Sequence, residues 1–307
     1  MKTDVAAKPN PITIYLLGTG GPSYQANRFG PATLVKVGDS HFLFDAGRGV
    51  GQRIYECGIP LEKVDKVFLT HLHSDHTEGL PNLWMAPWFL IARPNLHIWG
   101  PPKTKPMTDG IVQMFAEDCK MRPTSFAKKE YLPMYVQEFE KTGVIYDDGE
   151  VKITAFEVIH VPNYPAFGFR LEHRGRVVTL TGDTTYHENI ITYGKDCDVL
   201  VTNVNVVDEE RLKHSPWTAM IMSRQTTPEQ VADIANKTKP GMTVLSHVSK
   251  MGYSGIEGDN RIVERVKACY DGPLCMAYDR MRVEISPDGD IEVFAPNDIT
   301  NLPDLRD

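Results

Sequence analysis

The sequence predicts one α/β domain over residues 1–307, and three observations carry that prediction. Short runs rich in β-branched and aromatic residues alternate with helical patterns along the whole chain. No repeat, low-complexity tract or linker divides it. At 307 residues and 41% hydrophobic, the chain can bury a large core.

Taken in order, "ITIYLL" (12–17), "ATLVKV" (32–37) and "HFLFD" (41–45) read as strands separated by Gly, Pro and Asp turns. "GVGQRIYECG" reads as a short helix with a glycine stop. "KVFLT" (66–70) and "LHIWG" (96–100) are further strands, followed by a helix from about Thr104 to Cys119. Residues 120–143 are irregular and read as a lid or a substrate-facing insertion. Strands resume at 151–159, 166–172, 176–182 and 198–204. Thr227 then caps a helix whose first residue is Pro228 and whose capping-box partner is Gln230, with Pro240-Gly241 as its stop. A strand at 242–246, a last helix and three short strands close the chain.

Composition narrows the function classes. The formal net charge is −7 and the Lys and Arg residues are scattered, so no nucleic-acid partner is expected. No apolar run reaches the ~18 residues of a membrane span, so no membrane partner is expected either. The N-terminus carries no apolar export core. The expected location is the cytoplasm, or the periplasm if a leader has been removed. Five cysteines without a CxxC pair point to reduced, mostly buried thiols.

Chemistry concentrates in "THLHSDHTEGL" (70–80), where His71, His73, Asp75 and His76 fall within six positions. No ordinary core or surface pattern needs that density, and it points to a metal. His160, Asp183 and His247 each follow a predicted strand, where α/β sheets gather their ligand sites. Taken singly, each is more often a loop or turn residue. Together the set offers five imidazoles and two carboxylates without a thiolate, which suits a divalent ion such as zinc. Seven donors exceed the needs of one tetrahedral ion, so two ions are expected.

"HLHSDH", with His160, Asp183 and His247 behind it, resembles the metallo-β-lactamase superfamily over essentially the whole chain. The resemblance implies an αββα sandwich, two mixed β-sheets flanked by helices. It also implies that one zinc takes His71, His73 and His160, that a second takes Asp75, His76 and His247, and that Asp183 bridges them. Mn2+ or Fe2+ are alternative occupants. "FLFDAG" matches the family's early motif, which makes Asp45 the group that orients a ligand histidine. "LLGTGGPSYQANRFGPATLV" and "VPNYPAFGFRLEHRGRVVTLTGDT" are similar to the branch that holds ribonuclease Z, zinc arylsulfatases and some phosphodiesterases.

Two departures from the nuclease pattern shape the expected substrate. Only 22 residues separate His160 from Asp183, too few for the tRNA-binding arm of the bacterial nucleases. Asn203 and Gln225 align with the Glu and His that those enzymes use to handle protons at the leaving group. Without that pair a phenol, with a pKa of about 10, is favoured over an alkoxide nearer ~15.7, a difference of about 7–8 kcal/mol in leaving-group stability. The reading is therefore a binuclear zinc hydrolase of small esters, arylsulfatase first. Phosphodiesterase on small or cyclic phosphodiesters is second, and a lactonase or β-lactam hydrolase third. A catalytically weak, metal-loaded binding protein is the rival from another class. Asp75 is the expected proton handler, and Trp88, Tyr164 and Trp217 are expected pocket walls. Arg28 is an expected anion contact. The expected partner is a small-molecule substrate, and aromatics near 84–93 make a homodimer a further expectation.

Overall fold

The computed structural model describes residues 10–90, 95–121, 134–297 and 299, without the side chains of 87–90. Alternation in the strands generates its layers. In β1 (Ile12–Gly18), Ile12, Ile14 and Leu16 face one core and Leu17 another, because successive strand side chains point to opposite faces. β2 (Ala32–Val37) and β3 (Ser40–Phe44) continue antiparallel from β1. β4 (Lys66–Phe68), β5 (Leu96–Gly100) and β6 (Met134–Glu138) then add in parallel.

A second sheet follows. β7 (Gly143–Asp147), β8 (Lys152–Val158), β9 (Ala166–His173) and β10 (Arg176–Leu180) are antiparallel neighbours. β11 (Val199–Val207), β12 (Met242–Met251) and β13 (Leu274–Met276) extend it in parallel. β14 (Met281–Ile285) and β15 (Ile291–Phe294) return to the free side of β1. The two sheets have eight and seven described strands, and both are mixed.

Between the sheets, Ile14, Phe44, Phe68 and Trp99 pack against Phe167, Phe169, Val178 and Val244. Phe68 stacks on Trp99 with ring centroids 4.7 Å apart. Helices cover both outer faces. On the first sheet these are Val50–Glu56, Leu80–Leu90 and Thr104–Met114, which contribute Ile54, Leu83 and Ile111. On the second they are Glu188–Gly194, Pro228–Thr238 and Gly255–Lys267. Pro228–Thr238 carries the predicted capping box between Thr227 and Gln230 and buries Val231, Ala232, Ile234 and Ala235. The architecture is the αββα sandwich.

Several local expectations are revised. The helix expected over 104–119 is two, Thr104–Met114 and Ala116–Met121. Part of the irregular stretch is strand β6, and 122–133, where the lid was expected, lie outside the described residues. Helices Glu188–Gly194, Glu209–His214 and Pro216–Met222 were not expected; six or seven residues are too few for a helical period to show. The strand at 242–246 runs on through His247 to Met251. All five cysteines are free, and burial raises the Cys57 and Cys197 thiols to about 12. Among the described residues no helix is long and apolar enough to cross a membrane.

Phe68 sits at the centre of the inter-sheet core with no exposure. Phe68→Ala is expected to cost about 3–5 kcal/mol, read as a lower midpoint at unchanged slope in urea unfolding.

Candidate metal centre

The donors converge because β8, β10 and β12 run in one direction in the second sheet and β4 presents its end from the first. His71 and His73 follow β4, His160 follows β8, and Asp183 follows β10. Gly182, at φ 61, makes the turn that delivers Asp183; a Cβ there would meet the Phe167 carbonyl at 2.8 Å. His247 is delivered differently. It is the extra residue where β12 slips register against β11, between the pairs Asn203–Ser246 and Val204–Val248, and its φ is 44. Such a bulge re-aims one side chain out of the strand alternation. The "GTGG" loop lies against that imidazole, since a Cβ on Gly21 would stand 3.0 Å from His247 Cε1.

Three overlapping groups result, in each of which the donor atoms lie within 4.8 Å of one another: His71, His73 and His160; His71, His76 and Asp183; and Asp75, His76 and His247. Ring centroids of His71 stand 4.6 Å from His73, 4.2 Å from His76 and 4.8 Å from His160. Asp183 sits between the sets, with Oδ1 3.4 Å from His76 Nε2 and Oδ2 3.2 Å from His247 Nε2. Asp75 Oδ2 is 3.4 Å from His247 Nε2.

The outward nitrogens of His71, His76 and His160 are held from behind, which fixes which atom of each of these rings faces inward. His76 Nδ1 donates to Asp45 Oδ2 at 2.8 Å, and His160 Nδ1 donates to the Arg224 carbonyl at 3.0 Å. Thr70 donates its hydroxyl to Asp45 and lies 2.9 Å from His71 Nδ1, from which it can accept. Asp45 also takes the Thr70 backbone N–H and sits at φ 59, a conformation uncommon for a residue with a Cβ.

A divalent ion fits this arrangement. His71 Nε2, His76 Nε2 and Asp183 Oδ1 are buried without a hydrogen-bond partner, a state that folded proteins rarely leave uncompensated. Burial, and then the nearby His76, holds His71 well below its ordinary pKa, so its ring is neutral with a lone pair to give. Burial alone would raise Asp183, but His247 and His76 beside it hold the carboxyl well below the usual range. Asp75 is lowered in the same way, burial being outweighed by its bond to His247 and by His76. His71 and the two carboxylates are thus in the forms that bind metal. At His76 and His247, by contrast, burial is outweighed by the carboxylates, which raise both, and each would give up a proton to a bound cation.

A cleft of about 310 Å3 opens on the three-histidine side, lined by His71, His73, His160, Lys103, Tyr164 and a wall of prolines. Tyr164 is thus beside the centre. Trp217 is 59% exposed on helix Pro216–Met222 and does not line this cleft. The Trp88 side chain lies outside the described residues. Arg28 is no anion contact. Fully buried, its guanidinium binds Thr19, the Ala277 carbonyl and Asp259 and lies over the Tyr278 ring. It braces the loop whose Thr19 carbonyl accepts from Val248 N, next to His247. Thr70 and Lys103 were not foreseen. Thr70, at the end of "KVFLT" just before His71, was open to notice; Lys103 reaches the cleft only through the fold.

The interval between His160 and Asp183 is the β9–β10 hairpin, turning at Arg174–Gly175. Asn203 and Gln225 meet each other and Asp183: Asn203 Nδ2 donates to Gln225 Oε1, and Gln225 Nε2 donates to Asp183 Oδ2 at 2.9 Å.

Comparison with known proteins gives concordant results. Residues 12–232 match the family described as Anti-Pycsar protein Apyc1. Ribonuclease Z of Mycolicibacterium gilvum (strain PYR-GCK) is 31% identical over 281 residues, 90% of this chain and 97% of that one. The metallo-β-lactamase fold protein YhfI from Bacillus subtilis superposes with a TM-score of 0.68 at 19% identity, covering 89% of this chain and 99% of its own. Human tRNase Z, short form, superposes at 0.67 with 21% identity, covering 88% and 98%. These findings overturn the expectation of a small-molecule substrate and no nucleic acid, since similarity along nearly the whole chain is to proteins named for RNA substrates. Net charge misled because it sums over a whole surface, whereas a substrate meets one cleft. Nor do the relatives support arylsulfatase.

Asp45→Asn keeps the side-chain size but removes the anion that faces His76 and Thr70. It is expected to weaken zinc affinity by about 10–100-fold, measured by competition with a chromophoric chelator.

Proposed function

The chain belongs to the anti-Pycsar protein Apyc1 family, within the ribonuclease Z branch of the metallo-β-lactamase superfamily, and on that premise we propose a two-zinc phosphodiester hydrolase acting on ribonucleotide phosphodiesters. The observation that carries this reading is Asp183, set between two donor groups, one of which (His71, His73 and His160) lines an open cleft. His71, His73 and His160 would hold one ion, and Asp75, His76 and His247 the other, with Asp183 shared. Zinc is favoured by a donor set of imidazole and carboxylate. The ions supply positive charge that acidifies a water and polarises a phosphoryl oxygen.

The chain's own groups do the rest. Asp75 Oδ2, ionised and at the edge of the centre, is the carboxylate available to accept a proton. Lys103 is exposed at the cleft and has no ion-pair partner among the described residues, so it can meet a phosphate oxygen. Tyr164, 74% exposed, offers a flat face to a base, and Pro101, Pro102 and Pro165 keep that side apolar. Asn203 and Gln225 are neutral amides and cannot deliver a proton to the departing oxygen. This reading replaces arylsulfatase.

Zinc-reconstituted protein is expected to turn over bis(4-nitrophenyl) phosphate and an unstructured oligoribonucleotide, to leave 4-nitrophenyl sulfate intact, and to lose both activities in Asp183→Ala. Lys103→Ala should raise KM for the oligoribonucleotide about tenfold with kcat kept. Turnover of the sulfate with neither phosphodiester cleaved would overturn the reading.

A further inference from the structure

The segment Arg224–Thr226, between helices Pro216–Met222 and Pro228–Thr238, touches the donor set at two points. The Arg224 carbonyl fixes His160 through Nδ1, and Gln225 Nε2 donates to Asp183 Oδ2. Behind them Thr226 donates to the Asn203 Oδ1 and to the Thr184 carbonyl. The Thr226 carbonyl in turn accepts from Asn205 N on β11.

The direction of this relay follows from what each group can give. An ionised carboxylate only accepts, so the Gln225 amide must turn its NH2 toward Asp183 and its oxygen toward Asn203. Asn203 must then turn its NH2 toward Gln225, where it also reaches the Thr184 carbonyl at 2.9 Å. Its own oxygen is left for the Thr226 hydroxyl. Each donor in the chain has an acceptor, and the one atom of Asp183 without a hydrogen-bond partner is Oδ1, which faces His76. Asn203 and Gln225 are buried, 2% and 7% exposed, so no water competes for these bonds.

We infer that Gln225 is a positioning residue for Asp183: oriented by Asn203, it pins the carboxylate plane so that Oδ1 is presented to the shared metal position, and it thereby sets metal occupancy there. The inference rests on the two-ion reading of the centre and is independent of which ester is cleaved.

Two variants test it with zinc alone as the probe, titrated into metal-free protein against a chromophoric chelator. Gln225→Met keeps length and removes the donor. Asn203→Asp is isosteric and reverses the relay: its carboxylate would draw the Gln225 NH2 to itself and turn Oε1 against Asp183. Both should bind one of the two zinc equivalents about 10–100-fold more weakly, the other staying closer to its wild-type affinity. Wild-type affinity in Asn203→Asp would overturn the inference, and that variant decides alone if Gln225→Met does not fold. An equal loss of affinity for both zinc equivalents in both variants would also overturn it, by making the role one of general packing. A protein that binds two zinc ions yet cleaves no phosphodiester would sink the proposed reaction and leave this inference standing.

Discussion

Seven polar side chains gathered at one rim, all but the exposed His73 out of water, are the constraint on which this structure turns. Burying an imidazole or a carboxylate without compensation costs several kcal/mol, and five of one and two of the other meet here. His71, His76, His160 and Asp183 each have a hydrogen-bond partner behind, and a cation in front would compensate the inward atoms left without one. The partners behind come from the scaffold: Asp45 and Thr70 from the first sheet, the Arg224 carbonyl and Gln225 from the segment after helix Pro216–Met222. Asp45 accepts its bonds from an uncommon backbone conformation, the kind of local strain that persists where surrounding structure over-determines it.

The sandwich makes that convergence affordable in chain length. Strands that run the same way release their ends at one rim, so residues far apart in sequence, His71 and His247 among them, arrive together without long connections. Where the register would aim a side chain wrongly, the backbone deviates. The slip at His247 moves one residue out of alternation, and the loop at Gly21 packs so closely that a Cβ there would crowd the imidazole at 3.0 Å. The rigid core between Phe68 and Phe169 keeps the two rims at a fixed separation, which fixes the spacing of donors drawn from both sheets.

What could be read from the sequence divides along the same physical line. The layers were legible because alternation writes burial directly into Ile12, Ile14 and Leu16 or Phe167, Phe169 and Leu171. The donor set was legible because HxHxDH has no comparable use as packing, and the strand-end positions of His160 and Asp183 follow from the fold. Arg28 was misread: proximity to "GTGG" in sequence suggested an anion contact, whereas its partners Asp259 and Ala277 lie some 230 to 250 positions away. Lys103 was invisible for the converse reason, since only the fold brings the start of helix Thr104–Met114 over His71 and His160. The expectation of no nucleic acid rested on net charge, which a single cationic side chain beside a metal centre can outweigh locally.

The leaving group remains the sharpest chemical question that the residues pose, and the two amides bear on it in opposite ways. As neutral groups Asn203 and Gln225 withhold a proton from the departing oxygen, which by itself disfavours an alkoxide. As a donor oriented by Asn203, Gln225 holds Asp183 in place, and on the inference above this would strengthen the hold on cations that could stabilise that oxygen instead. Pinning a carboxylate between two ions raises the share of catalysis carried by electrostatic preorganisation and lowers the share carried by proton transfer. A ribonucleotide phosphodiester is compatible with such a centre because its developing charge is spread over phosphoryl oxygens that face the ions, with Lys103 at the open side. On the proposed reading, an amide relay in place of an acid–base pair would be a change in how the leaving oxygen is stabilised, carried by the same rim of the same two sheets.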